Sequence, residues 1–139
     1  MLSLTPAISR PMALVVEDHA DTGEMYALHL SRQGIGVVQA NAGAEALAKA
    51  RVFRPDVITT DLGLKDFSGA TLCQRLKDDE ATRGIPVIVV TGHARPKDVR
   101  SALASGCVSV LIKPCLPETL LSEVRRVLDL SQTSGTEHP

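Results

Sequence analysis

Residues 86–90 read PVIVV, an apolar run in which the β-branched Val87, Ile88, Val89 and Val90 follow one another without a polar interruption. Branching at Cβ restricts χ1 and suits an extended, pleated backbone, so the run reads as a strand. A strand with one wet face alternates apolar and polar residues, whereas an unbroken run fits a parallel sheet covered on both faces. Four more short runs lie around it: MALVV at 12–16, GVVQA at 36–40, DVITT at 56–60 and VSVLI at 108–112. The runs at 12 and 108 are also nearly continuous rather than alternating and are expected in covered strands. The run at 36 is more polar and is expected at an edge.

Between the runs, apolar residues recur at helical spacing: Met25 with Leu28, Tyr26 with Leu30, then Ala44, Leu47 and Ala48, then Leu72 with Leu76, and Val99 with Leu103. A last helix carries Leu121, Val124 and Leu128. Asp21 or Thr22 is placed to cap the first helix, Gly34 to end it and Gly106 to follow the fourth. Strand and helix therefore alternate five times. That alternation predicts an α/β fold, a doubly wound five-stranded parallel sheet with helices on both faces, whose function collects at the carboxyl ends of the strands.

A chain of 139 residues is one ordinary domain, here 12–130, with the Pro- and Ser-bearing stretch 1–11 and the polar stretch 131–139 read as flexible tails. Hydrophobic residues at 44% supply a core, and aromatic residues at 2% make it an aliphatic one. So few rings, with a net charge of −1, argue against direct binding of nucleic acid. Cys73, Cys107 and Cys115 lack CxxC or zinc spacing and read as reduced thiols, the first two as small core residues. No segment has the length of a membrane span or the anatomy of a signal peptide, so a cytoplasmic protein without membrane insertion is expected.

The residues just beyond the strands are Glu17 and Asp18 after the first, Asp61 after the third, Thr91 after the fourth, and Lys113 with Pro114 after the fifth. Parallel strands bring these to one rim. Three clustered carboxylates repel unless neutralised, and a hard divalent cation does that best; Mg²⁺ takes one or two carboxylates and keeps several waters. Asp18 and Asp61 are the candidate direct ligands, with Glu17 acting through water. Open positions on such an ion suit phosphoryl oxygens, so the rim suits phosphoryl transfer, with Asp61 as nucleophile and Thr91 and Lys113 as donors to the phosphoryl group.

These residues resemble those of the receiver domains of two-component response regulators. The likeness covers roughly 12–130 and rests on LVVED ending at Asp18, GAEAL at 43–47, RPDVITTDLGLKDFSG at 54–69, IPVIVVTGHA at 85–94 and the IKP step at 112–114. The resemblance implies strand order 2-1-3-4-5. It further implies that Asp61 accepts a phosphoryl group from a histidine kinase or a histidine phosphotransfer protein. Mg²⁺ would be held by Asp18, Asp61 and the backbone carbonyl of Gly63, and the peptide between Lys113 and Pro114 would be cis. X-Pro bonds are the ones that adopt cis cheaply. The partner face implied is the fourth helix, fifth strand and fifth helix, bearing Arg95, Lys97, Arg100, Arg125 and Arg126.

Several positions depart from the family pattern. Val110 stands where an aromatic residue is usual, Cys115 follows Pro114 in place of Phe, and Leu64 and Lys65 replace Met-Pro. Gly63 and His93 occupy the two positions that tune phosphoryl lifetime in the family; Gly63 offers no side chain, which leaves His93 as the modulator, or as a solvated loop residue. The expected protein is a phosphorylation-controlled switch or relay whose only chemistry is its own phosphorylation and dephosphorylation at Asp61. The rival readings are a small Mg²⁺-dependent aspartyl-phosphate phosphohydrolase, and a phosphate sink or a receiver segment of a hybrid kinase. Against the hydrolase, its DxD pattern after the first strand is replaced by Glu17, Asp18, His19.

Overall fold

The computed structural model describes residues 10–92 and 95–136. The five apolar runs become β1 (Met12–Val16), β2 (Gly36–Ala40), β3 (Val57–Thr60), β4 (Val87–Thr91) and β5 (Ser109–Ile112). They alternate with α1 (Ala20–Arg32), α2 (Gly43–Phe53), α3 (Gly69–Asp78), α4 (Pro96–Ala104) and α5 (Pro117–Thr136). All neighbouring strands are parallel, in the order β2-β1-β3-β4-β5. This is the doubly wound sheet that the alternation predicts.

Because side chains alternate across a strand, the sheet sorts its residues into two cores. Leu14, Val16, Ile58, Val87 and Val89 point to one side, where they meet Ala46 and Ala50 of α2, Leu72, Cys73 and Leu76 of α3, and Ala102 of α4. Ala13, Val15, Val57, Ile88 and Val90 point to the other, against Tyr26 and Leu30 of α1 and Leu120, Leu121, Val124 and Val127 of α5. Each fully buried Leu or Val contributes about 1.5–3 kcal/mol relative to exposure, so both faces must be covered for the sheet to persist. Cys73 and Cys107 lie in the first core as expected, and Cys115 is buried in the second.

The strand expectations separate at the edges. β2 is an edge strand and half-exposed, as its polarity suggests, and β4 is buried throughout. The run at 108–112, read as a covered strand, instead forms the opposite edge, with Val108 and Ile112 exposed. Val110 and Leu111 pack partly against the two cores, but the covering is sparse, since α4 buries only Ala102. On the helices, Tyr26 and Leu30 enter the core, whereas Met25, Leu28 and Leu103 are exposed.

Helix ends also differ in part from expectation. Gly34 at φ +90° and Gly106 at φ +103° terminate α1 and α4 in the left-handed region, where only glycine is unstrained. Asp21 and Thr22 lie inside the first turn of α1, whose N-cap is His19 with no side-chain bond. Asp21 therefore acts through its charge at the positive end of the helix rather than as a cap. The last helix continues to Thr136, six residues past the boundary at 130 that composition suggests.

Candidate functional site

The register of the sheet sets the rim. Val16 pairs with Thr60, Thr60 with Val89, and Thr91 with Ile112, so the residues that follow these strands emerge side by side. Backbone bonds continue the ladders beyond the strands: the Asp61 amide donates to the Val16 carbonyl at 3.1 Å, and the Lys113 amide to the Thr91 carbonyl at 2.8 Å. The positions of Asp61 and Lys113 are therefore inherited from β3 and β5.

Their side chains meet. Lys113 Nζ donates to Asp61 Oδ2 at 2.9 Å and to Glu17 Oε1 at 3.0 Å, one ammonium bridging two carboxylates. Glu17 is only 3% exposed, and burial holds its carboxyl above the usual range even with the ammonium beside it. At Lys113 the balance is reversed. Burial acts to lower its proton affinity, but the hydrogen bonds to Asp61 and Glu17 hold it above the ordinary lysine value.

Asp18 Oδ1 is buried without a hydrogen-bond partner. A buried carboxylate oxygen left unpaired costs free energy, and a cation at the rim is the ligand that relieves it. Among the described residues no three His, Cys, Asp or Glu side chains form a ready-made metal cage.

Those sequence and geometric features find their counterpart in known proteins: the response regulator receiver domain family matches residues 13–125. The chain belongs to that family. The receiver domain is 31% identical over 115 residues to the polar-differentiation response regulator DivK of Brucella ovis, covering 83% of this chain and 94% of DivK. It is 35% identical over 118 residues to the DNA-binding dual master transcriptional regulator RpaA of Synechocystis, covering 85% of this chain and 49% of RpaA. The chain spans about half the length of RpaA and of the mycobacterial DNA-binding response regulators MtrA that it also matches. Chemotaxis response regulator CheY4 of Vibrio cholerae superposes with a TM-score of 0.81 at 30% identity, covering 86% of this chain and 99% of CheY4. The protein is thus a CheY-like receiver domain of two-component signalling, with the fold that the residues predict. Among the described residues no helix is long and apolar enough to cross a membrane.

The structure places the remaining site residues of the receiver domain as follows. Thr91 ends β4 and is fully buried. Gly63 is exposed and its amide donates to Asp61 Oδ1 at 3.2 Å. The peptide between Lys113 and Pro114 is cis. Val110 points into the α2-α3-α4 core, partly buried. Glu17, read as a group reaching an ion through water, has its Oε1 taken by Lys113. His93 lies outside the described residues. Of the basic residues assigned to the partner face, Arg95 pairs with Asp98, and Arg125 turns toward α1, where its Nη2 reaches the Gln33 carbonyl at 3.4 Å.

Three features escape sequence reasoning. A Cβ on Gly69 would collide with the Asp61 carbonyl oxygen, so α3 begins against the backbone of the site and tolerates no side chain there. Asp66 and Phe67, in the loop between β3 and α3, both reach α2. Tyr26 donates its hydroxyl to the Cys115 carbonyl at 2.9 Å, tying α1 to the turn that carries Lys113, and burial pushes its own proton affinity up. Each contact joins residues more than 20 apart in sequence, except that of Gly69, whose only local sign is the Ser68 cap beside it.

Proposed function

We propose that Asp61 is the phosphoacceptor of this receiver domain and takes its phosphoryl group from a phosphohistidine of a kinase or phosphotransfer protein. The carrying observation is the Lys113 ammonium held between Asp61 and Glu17 at the strand rim. An Asp61 carboxylate oxygen forms the new bond to phosphorus as the bond from phosphorus to the imidazole nitrogen breaks, and the donor histidine leaves as a neutral or protonated ring. Asp18, Asp61 and the Gly63 carbonyl would hold Mg²⁺, with Glu17 reaching it through water. The ion, when bound, neutralises charge on the transferring group. Lys113 then passes from the carboxylate to a phosphoryl oxygen, and the Thr91 hydroxyl donates to another. Glu17 keeps the ammonium at the rim during that exchange, so the lysine does not have to be ordered anew.

The reading extends to the setting. Self-phosphorylation and dephosphorylation are the chemistry of the site, with no turnover of small esters, and the protein acts in the cytoplasm beside its kinase. A net charge of −1 supports partners that are proteins rather than nucleic acid. Val110 in place of an aromatic ring favours a relay or sink role over a strong switch, because valine has little χ1 freedom and no ring to fill space vacated by Thr91.

Incubation with acetyl phosphate and Mg²⁺, followed by intact mass and peptide mapping, tests the assignment. One phosphoryl group on Asp61 is expected, dependent on Mg²⁺ and absent from Asp61→Asn. Single labelling that persists in that variant would move the acceptor elsewhere.

A further inference from the structure

The N-terminus of α2 lacks a cap of its own. Its N-cap residue, Ala42, has an extended backbone and no side chain able to accept the leading amides. Those amides would be orphan donors. They are satisfied instead from a distance of more than 20 residues: Gly43 N donates to Asp66 Oδ1 at 2.8 Å and Ala44 N to Asp66 Oδ2 at 2.9 Å. One carboxylate thus engages the helix with both oxygens, and it also accepts from the Phe67 amide at 2.9 Å.

The contact is closed by packing. The Phe67 ring lies so close to Gly43 that any Cβ there would collide with it, and the Arg75 guanidinium sits over that ring, 4.3 Å from its centre. Leu62 and Leu64 pack on the α2-α3-α4 core. The loop 62–68 begins at Asp61 and ends at Ser68, which caps α3 through its Oγ and the Thr71 amide at 3.1 Å. Behind it, the Gly69 amide donates to the Leu62 carbonyl at 2.8 Å. Gly63, whose amide bonds Asp61, lies between these anchors.

We propose that Asp66 is a positioning residue for the acceptor site: by bonding the first two amides of α2 it pins the β3–α3 loop and thereby fixes the Gly63 backbone beside Asp61. This inference rests on the reading of Asp61 and Gly63 given above. A simple cap would stabilise α2 alone, and a residue at position 42 would do that as well. Asp66 differs because its own backbone belongs to the loop, so the same two bonds that satisfy the helix also restrain the chain that carries Gly63. Loss of the tie lets the loop sample arrangements in which the Gly63 carbonyl is not presented, which weakens Mg²⁺ and slows labelling without touching Lys113 or Asp61.

The test separates the two roles. Asp66→Ala is expected to lower the apparent Mg²⁺ affinity and the rate of labelling by acetyl phosphate roughly tenfold, the lower range for groups that orient a metal ligand. The rate should recover at saturating Mg²⁺. In the double variant Ala42→Ser, Asp66→Ala, the new serine caps α2 locally. Thermal stability should return while the Mg²⁺ requirement stays raised. Recovery of labelling in step with stability would overturn the proposal and leave Asp66 as a cap. Asp79→Ala, which removes a partly exposed aspartate bonded to Arg51 and to the Ala81 amide, serves as the control and should leave Mg²⁺ dependence unchanged. Should the unaltered protein not be labelled at all, the Asp61 assignment fails by itself. Hydrogen exchange still decides the tie: faster exchange of the Gly69 amide in Asp66→Ala supports it, and unchanged exchange of that amide refutes it.

Discussion

The two sides of the Asp61 site are held very differently. The β3–α3 loop is anchored at Asp66 on α2, at Phe67 between Gly43 and Arg75, and at Gly69 against the Asp61 carbonyl. Among the described residues the side formed by α4 and β5 shows no comparable ties: α4 buries only Ala102, β5 is a half-exposed edge, and Leu103, Val108 and Ile112 face solvent. A site that must receive a group in one geometry and then report its arrival needs both behaviours. The anchored loop suits the first, and the lightly packed edge suits the second, since few buried contacts resist its rearrangement.

Glycine substitutions break the comparison most sharply. Gly69→Ala drives a methyl group into the Asp61 backbone, so it should cost about 1–3 kcal/mol in stability and, through displacement of the acceptor, roughly a hundredfold in labelling rate. Gly92→Ala, on the other side of the site, meets nothing within 4 Å and should leave stability within about 0.5 kcal/mol. Urea melts and acetyl phosphate time courses of the two variants measure this, and equal effects would erase the asymmetry.

Lys113→Ala comes next. It strands Glu17, 3% exposed, without its cation, and should cost about 2 kcal/mol, less than removal of a fully buried partner because the lysine itself is partly exposed. Mg²⁺ binding, followed by metal-induced amide shifts, should survive. The shift changes beyond β4 on phosphorylation should largely vanish.

Acid sharpens the contrast from the rigid side. The backbone amides of Ala44, Gly43, Phe67 and Asp66 itself hold the Asp66 carboxyl down from 3.8 to about 2. A depressed folded value means that its contribution to stability is complete above an ordinary aspartate pKa and is lost as pH falls through the folded one. Loop anchoring should therefore persist to about pH 4 and fail toward pH 2, seen as loss of the downfield Gly43 and Ala44 amide shifts. In Asp66→Asn that titration should be absent.

The smallest effect is expected at Val110. Amide shift changes across 95–112 on binding a phosphoryl mimic should be modest, and Val110→Tyr should enlarge them by restoring a ring that can turn inward. Large changes in the unaltered protein would show that valine does not limit coupling.

What the sequence makes legible follows from how local each signal is. Strand type is written in contiguous residues, and the order of motifs after the strands brings Asp18, Asp61, Thr91 and Lys113 to one rim without any knowledge of contacts. Edge position is not local: VSVLI reads like a covered strand, and only the sparse packing of α4 explains its exposure. The same limit hides Asp66. An aspartate in a loop is an ordinary residue until the uncapped start of α2, 22 residues away, is seen to lie within its reach. Glu17 is intermediate, since its place at the rim is readable but the bond of its Oε1 to Lys113, 96 residues away, is not.

The bridge at the rim has a consequence for the making of the protein. Lys113 is separated from Asp61 by 52 residues and from Glu17 by 96. A nascent chain carries Asp61 long before it carries the lysine, and during that interval the carboxylate has no ammonium to accompany it. On the reading of Asp61 as the phosphoacceptor, its site is complete only when the fifth strand has emerged and docked, so a half-synthesised copy presents the aspartate without its ammonium.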